Sequence, residues 1–306
     1  MNFIVNRIKK LNGQSKRFVA FVALSILLGS CFSRWIMTES EIKEHYRDRL
    51  AKPLYHMVEN DSLKLHYVTF GADTAQPVLF IHGAPGAWDG YLNMLDDSAL
   101  QHQFHLISVD RPGYGKSQKK PKKRVYSLVE QAQAIIMALK SNHSGKKAII
   151  VGRSYGAPVA AEIAAMYPDL VKKVILLSPA IDPDTEKFWW FSKYGKFFLV
   201  RWFLPERMNT ATDEKYAHVA ELKKLKKEWP KIQSEVTVMC GGQDWIVDTT
   251  NFSFAQKMLQ GNKSTRFIFI PDTGHLISSS RPDLVKKEIC GVEDLKETIQ
   301  QQASAN

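Results

Sequence analysis

Between residues 63 and 300, short apolar runs alternate with helix-patterned stretches, and this alternation narrows the possible folds more than any other feature. Leu63–Phe70 alternates in the manner of an edge strand. Val78–Ile81, His105–Val109, Ala148–Val151, Val174–Leu177, Val236–Met239 and Phe267–Ile270 are short and mostly apolar. Runs of that kind fit strands buried on both faces. Helical patterns cover Ser127–Leu139, Tyr155–Met166, Asn251–Leu259 and Asp283–Gln300. The order predicts an α/β chain with a mostly parallel central sheet and helices on both faces. In such sheets the chemistry gathers at the carboxyl ends of the strands.

The turns at those ends are rich in glycine, and each presents a polar residue. They read His82-Gly83-Ala84-Pro85-Gly86, Asp110-Arg111-Pro112-Gly113-Tyr114-Gly115, Gly152-Arg153-Ser154-Tyr155-Gly156, Cys240-Gly241-Gly242-Gln243-Asp244 and Pro271-Asp272-Thr273-Gly274-His275. The third is the most informative. A strand ends at Val151, and an alanine-rich helix follows at once. A serine on such a strand-to-helix bend is held in strained geometry with its hydroxyl exposed. Gly152 and Gly156 flank it because a Cβ would collide across the bend. The helix beginning at Tyr155 turns its positive end toward the site, and Pro158 falls in the first turn, where its missing N–H costs little.

A serine hydroxyl attacks only when a base removes its proton, and that base is usually a histidine oriented by a carboxylate. His275 is the one histidine beyond residue 218 and follows a strand. Asp244 is the first choice for the orienting acid, with Asp248, Asp272 and Asp182 as competitors. An oxyanion hole needs two convergent N–H groups. Tyr155 and Ala84 are placed to supply them, with His82 bracing the loop that continues through Gly83.

Ser154, Asp244 and His275, in that order after successive strands, resemble the α/β-hydrolase fold family over residues 63–180 and 233–300. His82-Gly83-Ala84-Pro85-Gly86 resembles the family's oxyanion loop, and Asp110-Arg111-Pro112-Gly113-Tyr114-Gly115 its structural D-x-x-G-x-G turn. Epoxide hydrolases and dehalogenases of this family attack with an aspartate at the position of Ser154, and proline iminopeptidases carry a glycine at that of Ala84. The resemblance therefore implies a serine hydrolase that cleaves an ester-like bond through an acyl-enzyme on Ser154. An acyltransferase or aminopeptidase-like activity is the alternative, and a non-catalytic binding protein that keeps the fold is the second. No cofactor is expected.

The ends and the insertion bear on where the chain works. Arg7, Lys9, Lys10, Lys16 and Arg17 precede an apolar run from Phe18 to Leu28, with no acid in the first 30 residues. About fifteen helical residues rise about 22 Å, short of the roughly 30 Å hydrocarbon core. The pattern reads as a signal peptide or membrane anchor over 1–30. Leu28-Gly29-Ser30-Cys31 resembles a bacterial lipobox, which makes Cys31 a candidate for lipidation; an uncleaved signal anchor and a buried N-terminal helix are the other readings. A polar linker follows over 31–62, then the core domain over 63–300, interrupted by a helical lid over 181–232. The lid holds Phe188-Trp189-Trp190-Phe191, Tyr194, Phe197-Phe198 and Trp202-Phe203, interleaved with Lys187, Lys193, Lys196 and Arg201. This segment suits a lipid-like or aromatic acyl group and contact with a membrane. Localisation is thus expected at a membrane and outside the cytoplasm, with a small-molecule or lipid-like substrate.

The net charge of +11 among 306 residues is basic but does not call for nucleic acid. Three cysteines exclude a disulfide-built scaffold. No pair of Cys or His has metal-ligand spacing, so no metal is expected.

Overall fold

The computed structural model describes residues 36–60, 63–119, 125–186 and 198–291, with Gly13 and Gly195 besides. Its strands are β1 (Leu54–Glu59), β2 (Leu63–Phe70), β3 (Gln76–Ile81), β4 (Phe104–Val109), β5 (Gln118–Lys119), β6 (Ala148–Arg153), β7 (Val171–Leu177), β8 (Glu235–Gly241) and β9 (Thr265–Ile270). They form one sheet in the order β1-β2-β4-β3-β6-β7-β8-β9, with β5 paired to β2. The six strands from β4 to β9 in this order run parallel to one another. β2 pairs antiparallel with β1, β4 and β5.

The larger helices are α1 (Glu39–His45), α2 (Leu128–Ile135), α3 (Gly156–Met166), α4 (Glu206–Leu225), α5 (Thr250–Met258) and α6 (Pro282–Cys290). Alternate residues of one strand go to opposite faces, and two apolar clusters result. Leu79, Ile81, Ile150 and Leu176 pack under α2 and α3 on one face. Val78, Phe80, Val151 and Ile175 pack against Tyr91, Leu95, Val285 and Ile289 on the other. A sheet covered on both faces explains why its central strands are apolar throughout.

Three sequence expectations change. Phe267–Ile270, read as a strand buried on both faces, is the far edge of the sheet, and Phe269 is exposed there. Leu63–Phe70 is not an edge strand but the second in the sheet. Two of its polar residues are buried and partnered: His66 Nδ1 lies 2.7 Å from Asp110 Oδ2, and Thr69 Oγ1 lies 2.8 Å from His56 Nε2. The edge on that side is Leu54–Glu59, inside the segment read as a linker. Leu54, Tyr55 and Met57 there are exposed, so no buried face marks the strand in the sequence.

The rest of that segment is also packed on the body. Thr38 and Glu41 form a capping box at the start of α1. Ile42 and Tyr46 enter the apolar cluster, and Tyr46 donates a hydrogen bond to Asp96 Oδ1 at 2.8 Å. The Met37 N–H donates to Asp89 Oδ2 at 2.6 Å. Cys31, the leader and the aromatic run Phe188–Phe191 with Tyr194 and Phe197 lie outside the described residues. No helix among the described residues is long and apolar enough to cross a membrane.

Asp89 supplies a test of how α1 is held. Burial pushes its carboxyl up to about 6, with the charge of Asp110 adding to the rise and the Met37 N–H opposing it. A raised folded value means that the native state holds this proton where the unfolded chain, near pH 4, releases it. Its stabilising effect is therefore full below about pH 4 and is lost as pH rises through 6. Urea unfolding of the wild type and Asp89→Asn should show the difference between them shifting toward the variant across that window. A difference independent of pH would contradict this.

Candidate active site

Four strand ends assemble the candidate site. Ser154 follows β6 directly, two residues before α3, and has φ +55°, a left-handed conformation unusual for a residue with a side chain. Its N–H donates to the Leu177 carbonyl at 2.9 Å, and its own carbonyl accepts from the Ala157 N–H at 3.1 Å. The bend is tight on both sides. A Cβ on Gly152 would lie 2.5 Å from the Gly156 carbonyl oxygen and 2.8 Å from Ala160 Cβ. A Cβ on Gly156 would fall on the Ile81 carbonyl and lie 2.7 Å from that of His82. The alanine-rich face of α3 is what lets helix and sheet approach this closely.

Asp244 ends the turn after β8, and His275 the turn after β9. The two turns are laced together: Gly242 N–H donates to the Ile270 carbonyl at 2.8 Å, and Gln243 N–H to that of Thr273 at 3.0 Å. His275 Nδ1 lies 2.8 Å from Asp244 Oδ2, and both side chains are buried. The other Asp244 oxygen accepts the N–H groups of Ile246 and Val247, each at 2.9 Å. Burial alone would raise the Asp244 carboxyl. The hydrogen bond and charge of His275, with those two N–H groups, outweigh it and hold the carboxyl below its ordinary value. An ionised Asp244 takes the Nδ1 proton as acceptor, which leaves Nε2 as the basic nitrogen.

The competing acids are engaged elsewhere. Asp182 Oδ1 accepts the Asp184 N–H at 3.0 Å, Asp248 Oδ1 the Thr250 N–H at 3.1 Å, and Asp272 is exposed. No hydrogen bond joins Ser154 Oγ to His275 among the described residues. The nearest tie between the elbow and the His275 segment is Arg153, whose guanidinium donates to Ser278 Oγ at 3.0 Å and to the Gly90 carbonyl at 3.1 Å. Cys240, next to this turn, is pushed up to about 12 by burial and by the charge of Asp244, so it stays a thiol.

The loop after β3 passes over the serine: a Cβ on Gly83 would lie 3.6 Å from Ser154 Oγ. His82 is fully buried. Its Nδ1 meets the Gly83 carbonyl at 2.6 Å, and its Nε2 accepts the Arg111 backbone N–H at 3.0 Å. This pairing requires a neutral ring carrying its proton on Nδ1. Burial, reinforced by Arg111, lowers the imidazole well below its ordinary value and keeps it neutral. Across a trans peptide the carbonyl and the next N–H point in opposite directions. Fixing the Gly83 oxygen toward His82 therefore turns the Ala84 N–H to the opposite side of that peptide. Ala84, Ser154 and Tyr155 line one cavity of about 130 Å³, together with Lys215, His218 and Asn251. A larger groove of about 1050 Å³, beside α1, is lined by none of these residues.

Three contributors were not apparent from sequence. Arg111 looked like part of a turn, yet it is buried against His82 and Glu214. His218 and Lys215 come from α4, and His218 Nε2 is bonded to the Ala180 carbonyl at 3.0 Å. No spacing rule connects them to Ser154. Among the described residues no group of three or more His, Cys, Asp or Glu could hold a metal ion.

Residues 76–218 match the family model described as the alpha/beta hydrolase fold. The chain is 30% identical to Epoxide hydrolase 3 of Mus musculus over 122 residues, which is 39% of this chain and 32% of that protein. It is 26% identical to Epoxide hydrolase 4 of Homo sapiens over 176 residues, 54% of this chain and 47% of that protein. The chain thus spans 32% and 47% of the length of these two curated relatives, less than half of each. A solved structure titled as a membrane phospholipase A, a bacterial virulence factor, superposes with a TM-score of 0.61 at 20% identity, covering 90% of this chain and 96% of that one.

The crowding at the elbow is open to direct test. In an ordinary helix start Gly→Ala stabilises, by up to about 1 kcal/mol. At Gly156 the sign should reverse, with a loss of about 3 kcal/mol or failure to fold, because the clash is with backbone. Urea unfolding of Gly156→Ala measures it. A variant as stable as the wild type would show that the bend has room the geometry denies.

Proposed function

We propose that the chain, which matches the α/β-hydrolase fold family over residues 76–218, is a serine hydrolase acting on ester-like bonds at a membrane surface. One observation supports the reading above others. A serine held in a left-handed bend and a buried His275–Asp244 pair stand at the carboxyl ends of parallel strands of one sheet. In this reading Ser154 Oγ gives its proton to His275 Nε2 as it attacks the carbonyl carbon. The developing oxyanion is met by the N–H groups of Ala84 and Tyr155. The protonated imidazole, stabilised by Asp244, then delivers its proton to the leaving oxygen. Water, deprotonated by the same nitrogen, releases the acid and restores Ser154. In this reading Ser154 Oγ and His275 Nε2 come within hydrogen-bond reach when substrate is bound.

The names of the curated relatives raise epoxide opening as a rival. A carboxylate that opens an epoxide forms an ester, which water can cleave. A serine that did so would form an ether, which water attack at a carbonyl cannot release. Residue 154 is a serine, and this favours acyl chemistry. The acyl group is lipid-like or aromatic. Supporting this are the aromatic run in the insertion, the 80% exposure of Trp202 and the likeness to the membrane phospholipase fold. Residues 1–30 serve as the leader that brings the chain to the membrane, and Cys31 or the uncleaved apolar run holds it there. The segment between β7 and β8 acts as the lid.

A fluorophosphonate probe tests the nucleophile. The wild type should be labelled and Ser154→Ala should not. Ester hydrolysis should fall by about four orders of magnitude or more in Ser154→Ala and in His275→Ala. Labelling or turnover that survives the loss of Ser154 would overturn the reading.

A further inference from the structure

We propose that Glu214, on α4 of the insertion, is a positioning residue for the oxyanion loop and acts through Arg111; this rests on the serine-hydrolase reading of the site. Arg111 and Glu214 form a fully buried ion pair, bidentate at 2.5 Å and 3.1 Å. The remaining guanidinium N–H groups are also used. Nε donates to the His82 carbonyl at 2.9 Å, one terminal nitrogen to Gln131 Oε1 at 2.7 Å, and the other to the Gly83 carbonyl at 3.1 Å. The five donors of the fork thus have five acceptors. The guanidinium carbon lies over the rings of Tyr114, 4.6 Å from its centroid, and Tyr155, 4.8 Å from its centroid. Burial disfavours its charge, and Glu214 more than offsets this and keeps the cation.

This arrangement joins three separate pieces of the chain. The two bonds to His82 and Gly83 lie on the loop that passes over Ser154. The contact with the Tyr155 ring lies on the elbow. The carboxylate comes from a helix about a hundred residues further along the chain and fixes the direction of both terminal nitrogens. Of these, one holds the Gly83 oxygen, and so sets the Ala84 N–H on the far side of that peptide. Tyr114 Oη and Gln131 Nε2 donate to the same carboxylate at 2.5 Å and 3.1 Å and hold it in turn. Without the charge of Glu214 the guanidinium would be left to Gln131 Oε1 and the carbonyls of the loop itself, with nothing to fix its rotation between them. The insertion therefore does more than cover the cavity. Its seating on the body sets the geometry of an oxyanion donor.

The test compares Glu214→Gln and Glu214→Asp with the wild type on p-nitrophenyl esters. Glu214→Gln should lower kcat by about 10- to 100-fold with KM within about twofold, since a misplaced donor is missed mainly in the transition state. Glu214→Asp, which keeps the charge, should recover part of the loss. Hydrogen–deuterium exchange should rise in the peptide spanning residues 82–87 of Glu214→Gln and stay unchanged in β7 and β8. If Glu214→Gln does not fold, Tyr114→Phe removes one bond to the carboxylate and should lower kcat several-fold without raising KM. An active wild type whose Glu214→Gln variant keeps its kcat, raises KM alone or shows unchanged loop exchange would overturn the proposal. A wild type that neither turns over esters nor reacts with a fluorophosphonate would instead overturn the serine-hydrolase reading beneath it.

Discussion

Strand β6 and helix α3 meet over a single sharp bend, and nearly everything else about the site follows from how little room that bend leaves. A side chain at φ +55° costs about 1–3 kcal/mol. The cost is met locally: the backbone of Ser154 is bonded on both sides, and the two flanking positions carry no Cβ because backbone and helix atoms already occupy that space. Small side chains along α3 allow the close approach, and the helix places its positive end at the serine. The bend therefore projects one hydroxyl from the middle of the sheet. The neighbouring strands run parallel, so their own turns open on the same edge and deliver Asp244 and His275 to that row.

Around this bend the interior is unusually polar. His82, Arg111, Gln131 and Glu214 are all buried, and each is hydrogen-bonded to another of the four or to a neighbouring backbone carbonyl. An ion pair removed from water contributes little net stability, since desolvation offsets much of the attraction. What it supplies is direction. An apolar core of the same volume would fill the space beneath the loop after β3 but would leave the Gly83 peptide free to rotate. Glu288 does a related task at the far side of the sheet. It accepts from Lys173 at 2.9 Å and Thr237 at 2.8 Å and pairs with Arg266 at 3.0 Å, tying α6 to three adjacent strands.

Much of this was legible in the sequence, for identifiable reasons. The buried strands announced themselves because both of their faces are apolar. The glycines around Ser154 were readable because only a crowded turn requires them. Asp244 was separable from its neighbours because it stands in the short turn that a strand and a glycine pair open. Leu54–Glu59 was hidden because its exposed face gives no pattern. Leu63–Phe70 was misplaced because His66 and Thr69 look solvent-facing when their partners, Asp110 and His56, are unknown. Arg111 and Glu214 were not legible at all. A buried ion pair between residues a hundred positions apart leaves no local trace, and the turn that carries Arg111 is sufficiently explained by its glycines.

The central claim is that Ser154 becomes the attacking group and carries the acyl chain between two half-reactions. Intact-mass and peptide analysis of the protein, acid-quenched during turnover of a slowly hydrolysed ester, tests it most directly. An acyl adduct on the peptide that carries Ser154, forming and decaying at rates compatible with turnover, is the predicted result. Sustained hydrolysis with no adduct, or with the adduct on another residue, would contradict it.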